Sequence, residues 1–265
     1  MTAGGEAGET PGGRTTAGGP TEAVPGSTPD LAGIDLIVFD KDGTLIDFDT
    51  MWAGWAVALA RALEEATGEP LADSLFAAIG FSADAARAAP SGPLGSHSMA
   101  QLREITVGVV VASDRSPADA ERIVAAAWRP PDPVGRAIPL TDLAALFTAL
   151  RAGGRRIAVA TGDDRGPTEA TLRALGLSDL VDAVATPDDG HPTKPDPGML
   201  VHLCATLGVE PARTAMVGDA SVDLEMARTA GFGLVVGVLS GASRREDLEP
   251  LADVLLDSVA GLVSR

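Results

Sequence analysis

Four short apolar runs constrain this chain more than any other feature: "IDLIVFD" (34–40), "RRIAVATGDD" (155–164), "ARTAMVGDAS" (212–221) and "GFGLVVGVL" (231–239). Each run is too short for a helix of ordinary length and too continuous for a strand with one wet face, so it predicts a strand buried on both sides of a parallel sheet. The first three end in polar, acid-bearing loops. Between them lie helical patterns, "LTDLAALFTALRAGG", "PTEATLRALG", "PGMLVHLCATLG" and "SVDLEMARTAG", which start near Thr141, Pro or Ser and stop at Gly. Strand and helix alternating over short connections predict an α/β fold with a parallel sheet. In such sheets ligands bind beyond the carboxyl ends of the strands, where the acidic loops fall.

One interval breaks the rhythm. Asp40 and Thr161 are 121 positions apart, whereas a strand–helix–strand crossover needs about 30 residues. The intervening stretch reads as helices, "TMWAGWAVALARALEEATG", "LADSLFAAIG", "SMAQLREITVGVVVAS" and "PADAERIVAAAW", with apolar residues three and four apart. The expected organisation is a tail over 1–30, a catalytic core over 31–49 and 136–265, and an inserted all-helical cap over 50–135. The tail, rich in Gly, Ala, Thr, Pro and Glu, has too little apolar surface to offset chain entropy and is expected to be disordered. The loop 89–98, "APSGPLGSHS", is the insert's most irregular part and the expected seat of selectivity.

Composition excludes several functions. A formal net charge of −17 disfavours nucleic acid and anionic membranes, whose phosphates call for clustered Lys and Arg. An anionic substrate then needs local positive charge, such as a metal ion. The single cysteine, Cys204, cannot close an internal disulfide, and no apolar run reaches eighteen residues. Nor is there a charged-then-apolar leader, so a cytoplasmic protein is expected. His97, His191 and His202 lack metal-ligand spacing, which disfavours zinc. No P-loop or dinucleotide fingerprint is present.

Four polar motifs carry the chemistry. Asp40 and Asp42 lie two apart at a strand end, followed by Gly43, suited to a tight turn, and Thr44. Asp219 and Asp223, four apart at a helix start, can share one face. Brought together, the four carboxylates repel, at about 4 kcal/mol per pair 4 Å apart in an effective dielectric of 20. A divalent cation relieves this, and oxygen donors suit Mg²⁺. Asp40 is then a nucleophile, Asp42 a proton donor and acceptor, and Thr161, with Gly162 beside it, and Lys194 serve the phosphoryl oxygens. Lys194 and Lys41 are the chain's only lysines; the other eighteen basic residues are arginine.

In order, "DKDGT", "VATGD", "TKPDP" and "VGDASVDLEMARTAG" closely resemble the four motifs of the haloacid dehalogenase superfamily of phosphatases, over residues 34–240. The inserted helices resemble its phosphoglycolate phosphatase-like branch, whose helical cap closes over the active site. The resemblance implies a Rossmann-like fold and an aspartyl-phosphate on Asp40, with Asp42 acting as general acid and then base. It also implies Mg²⁺ held by Asp40, the Asp42 carbonyl and Asp219, supported by Asp223. The substrate expected is a small phosphorylated metabolite, with phosphoglycolate favoured; the acid at Asp42 disfavours dehalogenase activity, and Thr44 suits phosphatases over mutases.

The alternatives are a sugar phosphomutase and a non-catalytic phospho-acceptor or binding module. A phospho-acceptor would carry its acidic pair before the phosphorylated Asp, whereas here a pair follows the lysine. Asp163 and Asp164 are expected as caps, Asp47 and Asp49 as part of a hinge. Lys41 is expected to pack or form a salt bridge. Trp52, Trp55 and Trp128 are expected in the cap core, and Arg87, Arg103 and Arg115 on its surface. Oligomeric state is not legible.

Overall fold

The computed structural model describes residues 1, 28–89 and 92–263; the expected N-terminal tail lies almost wholly outside them. Six strands form one parallel sheet: β1 (Leu36–Phe39), β4 (Arg156–Ala160), β5 (Ala183–Ala185), β6 (Thr214–Gly218), β7 (Leu234–Val238) and β8 (Val254–Leu256), in the order β5-β4-β1-β6-β7-β8. The fold is α/β and Rossmann-like. All four expected runs are strands, while β5 and β8, only three residues each, were not anticipated because runs so short carry little periodicity.

β1 is fully buried because both its edges and both its faces are covered. Phe39 pairs with Val159 on one side and Val217 on the other. Alternating side chains go to opposite faces. Ile37 and Phe39 join Ile157, Val159 and Val217 on one, and Leu36 and Val38 join Ala158 and Met216 on the other. The helix α6 (Leu143–Ala152) packs its Phe147 ring 5.0 Å from that of Phe39. Its N-cap is Asp142, whose side chain accepts from the Ala145 N–H. Thr141, expected in that role, stands one residue too early. The helices α8 (Gly198–Leu207) and α9 (Ser221–Ala230) contribute Leu200, Leu203, Leu224 and Ala227 to the opposite core. The helix α7 (Arg165–Ala174) follows β4, and a short helix α10 (Arg245–Leu248) follows β7.

Between β1 and α6 the chain forms α1 (Phe48–Thr67), α2 (Ala72–Ile79), α3 (Pro93–Ser96), α4 (Met99–Val111) and α5 (Pro117–Ala127). The insert is not wholly helical as expected. A hairpin of β2 (Phe81–Ser82) and β3 (Arg87–Ala88) interrupts it, and α3 forms inside the loop expected to be irregular. Local chemistry sets the helix ends. Asp47 accepts from the Thr50 N–H at 2.6 Å to start α1, Gly68 ends it at a positive φ, and Ser98 with Gln101 forms a capping box on α4. Trp55 stands edge-on to both Trp52 and Trp128, with ring centres 5.6 and 5.2 Å apart.

The chain leaves and re-enters the sheet layer through a narrow neck. The Asp47 N–H donates to the Ile138 carbonyl at 2.8 Å, and the Leu140 N–H to the Leu45 carbonyl at 3.0 Å.

Phe147→Ala removes the ring that covers β1 and should lower unfolding free energy by about 3–5 kcal/mol. Chemical denaturation checks this, with the denaturant slope unchanged.

Candidate active site

β1, at the centre of the sheet, marks the point where the strand order turns: β4 and β5 lie on one side, β6 to β8 on the other. Four loops meet there, from the carboxyl ends of β1, β4, β6 and β7. Asp40 continues β1 by one residue, its N–H donating to the Val217 carbonyl at 2.9 Å. Its carboxylate is therefore fixed by the sheet. The turn that follows closes on itself through the Gly43 N–H to the Ile46 carbonyl at 2.8 Å. Gly43 has φ +89, and a Cβ there would meet the Asp219 carboxylate. Gly241, in the loop after β7, lies against the same carboxylate in the same way. Glycine is required at both because Asp219 fills the space a side chain would need.

Asp219 directly follows β6, and Asp223 sits in the first turn of α9, accepting from the Ala220 N–H at 3.2 Å. Asp40, Asp219 and Asp223 are all buried, and each offers an oxygen within 4.8 Å of the others. Thr44 Oγ1 donates to Asp219 at 3.0 Å and the Ala242 N–H donates at 2.9 Å. Lys194 Nζ reaches Asp40 and Asp223, both at 2.6 Å, with its side chain 5% exposed. A second cation lies beside the first: Lys41 Nζ is 2.7 Å from Asp42 and 3.3 Å from Asp163. Both lysines of the chain are thus buried against aspartates in this one site.

The electrostatics follow from burial. Asp40 is pushed up to about 7 chiefly by loss of water, with Asp223 and Asp42 adding to the effect and Lys194 opposing it. Burial, then the Asp40 and Asp223 charges, hold Asp219 well above the usual carboxylate range. For Lys194 burial works against the charge, but the Asp223 and Asp40 carboxylates outweigh it and the ammonium is held above its ordinary value. The same balance raises Lys41, through Asp42 and Asp163. Three crowded, buried carboxylates with oxygen donors only fit a hard divalent cation such as Mg²⁺.

Thr161 directly follows β4, buried, with its N–H donating to the Ala185 carbonyl at 3.1 Å and its Oγ1 accepting from the Asp163 N–H at 3.2 Å. A small cavity opens in front of Asp40. Asp40, Asp42, Thr161, Gly162, Asp163 and Lys194 line its inner end, and Phe48, Trp52, Leu94, Gly95, Ser96, His97, Met99 and Leu102 from the insert line the outer. All seven residues singled out in the sequence therefore converge on one place, Asp219 and Asp223 behind Asp40 and the other five on the cavity.

Several contributors escape the sequence reading. Asp163 is an ion-pair partner of Lys41 rather than a cap, and Asp164 occupies the N-cap position of α7 without a side-chain cap bond. The loop 240–242 closes over Asp219, and Ser240 Oγ donates to the Gly43 carbonyl at 2.8 Å. Its position at the carboxyl end of β7 is the signal that could have found it. Trp52, expected in the insert's core, also lines the cavity. Arg87 pairs with Asp49 at 3.2 Å, Arg103 with Glu121 at 2.7 Å, and Arg115 donates to the Thr67 carbonyl; none lines the cavity.

Comparison with known proteins points to one family. Residues 34–231 match the haloacid dehalogenase-like hydrolase family. The chain is 40% identical over 124 residues to a phosphoglycolate phosphatase of Rhodospirillum rubrum, covering 47% of this chain and 49% of that one. It thus spans about half the length of such relatives. It is 30% identical over 239 residues to "Probable phosphatase IndB" of Dickeya dadantii, covering 86% of this chain and 91% of that one. The crystal structure of a "predicted phosphoglycolate phosphatase" from Haemophilus somnus superposes with a TM-score of 0.62 at 20% identity, covering 86% of this chain and 96% of that one, which shows a shared fold.

The raised carboxyls make stability depend on pH and metal. A folded-state value of about 7 for Asp40, against 3.8 ordinarily, means the folded chain holds a proton that the unfolded chain has released. Stability from this group is complete below its ordinary value and is lost as pH rises through the folded value; Asp219 acts in the same direction. Thermal melting in chelator should therefore fall from about pH 5 to about pH 7.5, and Mg²⁺ should raise the midpoint more at the higher pH. A metal increment independent of pH would refute this.

Proposed function

Because the chain belongs to the haloacid dehalogenase-like hydrolases, we propose that it is a Mg²⁺-dependent phosphatase that cleaves a small-metabolite phosphomonoester through an aspartyl-phosphate on Asp40. The observation that carries this reading is the position of Asp40. It is a buried carboxylate fixed at the end of the central strand, 2.6 Å from Lys194, with Asp219 and Asp223 behind it and the cavity in front.

Asp40, Asp219 and Asp223, with the Asp42 carbonyl, would hold the metal. When bound, Mg²⁺ neutralises the crowded carboxylates and draws charge from the phosphoryl oxygens. A carboxylate oxygen of Asp40 attacks phosphorus in line as the ester P–O bond breaks, and Asp42 gives its proton to the leaving oxygen. Asp42 then takes a proton from water, which cleaves the acyl-phosphate and frees Asp40. Thr161 Oγ1, the Gly162 backbone and Lys194 hold the non-bridging oxygens through both steps. Lys41, paired to Asp42 and Asp163, ties the loop after β1 to the loop after β4, so that Asp42 stays beside the phosphoryl site.

In this reading the insert is a cap that admits substrate when open and excludes water when closed. Phosphoglycolate, the substrate named for the Rhodospirillum rubrum relative, belongs on the test panel beside sugar phosphates and nucleotides. A cytoplasmic setting goes with the reading.

Asp40→Asn should lower phosphate release by on the order of a thousandfold or more while leaving the melting profile cooperative. Phosphate release from the panel, with Mg²⁺ and with chelator, measures this. A folded Asp40→Asn protein with undiminished turnover would remove the mechanism. Isomerisation of a sugar phosphate without net phosphate release would replace hydrolysis by phosphoryl transfer to sugar.

A further inference from the structure

The two ends of the cavity differ in chemistry. The inner end is ionic, whereas the outer end is walled by Phe48, Trp52, Leu94, Met99 and Leu102, with Ser96 and His97 as its polar side chains. Building on the phosphatase reading above, we propose that the outer end receives an uncharged, hydroxyl-bearing leaving group. The substrates are then monophosphates of polyols or sugars rather than phosphorylated carboxylic acids.

Charge is the first argument. A carboxylate taken out of water needs a guanidinium or ammonium partner. Among the described residues no arginine lines the cavity, and the one lysine that does, Lys194, already spans Asp40 and Asp223. Arg87, Arg103 and Arg115 of the insert are engaged elsewhere. The inner end instead presents Asp40, Asp42 and Asp163, which would repel a second anionic group attached to the phosphate.

Hydrogen-bond inventory is the second. Ser96 Oγ spends its single hydrogen on the Gly92 carbonyl at 3.0 Å. His97 Nδ1, 3.0 Å from the same oxygen, must therefore be the donor of that pair. The neutral ring is then left with Nε2 as an acceptor, a tautomer assigned from the bonding pattern. An acceptor beside an apolar wall matches a hydroxyl group, which can donate to it. A carboxylate would leave the imidazole lone pair facing an anion.

The apolar wall is the third. Aromatic and aliphatic side chains can pack against the C–H face of a carbon chain or ring, while a few placed polar groups set its orientation.

The test compares kcat/KM of the full chain with Mg²⁺ on three kinds of ester: glycerol 3-phosphate with pentose and hexose monophosphates, phosphoglycolate with phosphoglycerate, and p-nitrophenyl phosphate. The best hydroxylated ester should exceed the best carboxylated one by about tenfold or more. His97→Leu, at an exposed position, should lower the ratio of hydroxylated ester to p-nitrophenyl phosphate by about tenfold, mainly through KM. Turnover of p-nitrophenyl phosphate with the carboxylated esters equal or preferred overturns the substrate class and leaves the phosphatase standing. An equal loss on both esters in His97→Leu overturns the assigned contact. Release of phosphate from no ester removes the phosphatase reading and this inference with it.

Discussion

Repulsion among Asp40, Asp219 and Asp223 is the constraint around which the rest of this structure is arranged. Carboxylates as close as these are unfavourable in water and more so when buried, where the effective dielectric is lower. The chain tolerates them by two means. Lys194 bridges two of the three, while Thr44 and the Ala242 N–H donate to the third. The cluster also rests on the central strand of a six-stranded sheet, the part of the fold with most to lose by moving. A chain of net charge −17 that spends both its lysines here concentrates positive charge where an anionic substrate would need it. Compactness explains the choice of residue, since an ammonium is a point charge that fits between two carboxylates, while a guanidinium is a wider planar fork.

The site divides its labour by element. Strand ends supply the groups that would meet phosphorus, because a sheet paired on both edges holds a carboxylate with little freedom. The insert supplies the surface that would meet the rest of the substrate, from α1, α3 and α4. These helices pack largely through their own apolar residues and the tryptophan cluster, so their cavity-facing positions are less tied to the sheet. Lys41 joins strand end to strand end, holding the loops after β1 and β4 together through Asp42 and Asp163.

The sheet was legible because burial on both faces writes itself as continuous apolar runs, and the motif loops because their acids fall just past those runs. β5, "AVA", and β8, "VLL", were not, since three residues cannot show a period. Asp163 reads as a helix cap in sequence because it precedes α7; its partner Lys41 is over a hundred positions away, and only the β1–β4 register brings them together. The same holds for Gly241, whose need to be glycine comes from Asp219, not from its own turn. Trp52 shows the limit from the other side. Its spacing on α1 correctly marks a buried face, but spacing does not distinguish a face buried in protein from one bordering a cavity.

The neck that joins insert to sheet carries a consequence for descent. Backbone bonds between Asp47 and Ile138 and between Leu140 and Leu45 bring the two ends of a ninety-residue excursion side by side, just beyond the turn that carries Asp40 and Asp42. Segments whose ends meet in this way are the ones chains accept as insertions. Everything between those bonds can be exchanged, lengthened or recast without breaking a rung of the parallel sheet. The reacting groups and the recognising groups can then evolve on separate schedules, one lineage inheriting the same chemistry while its diet of substrates changes.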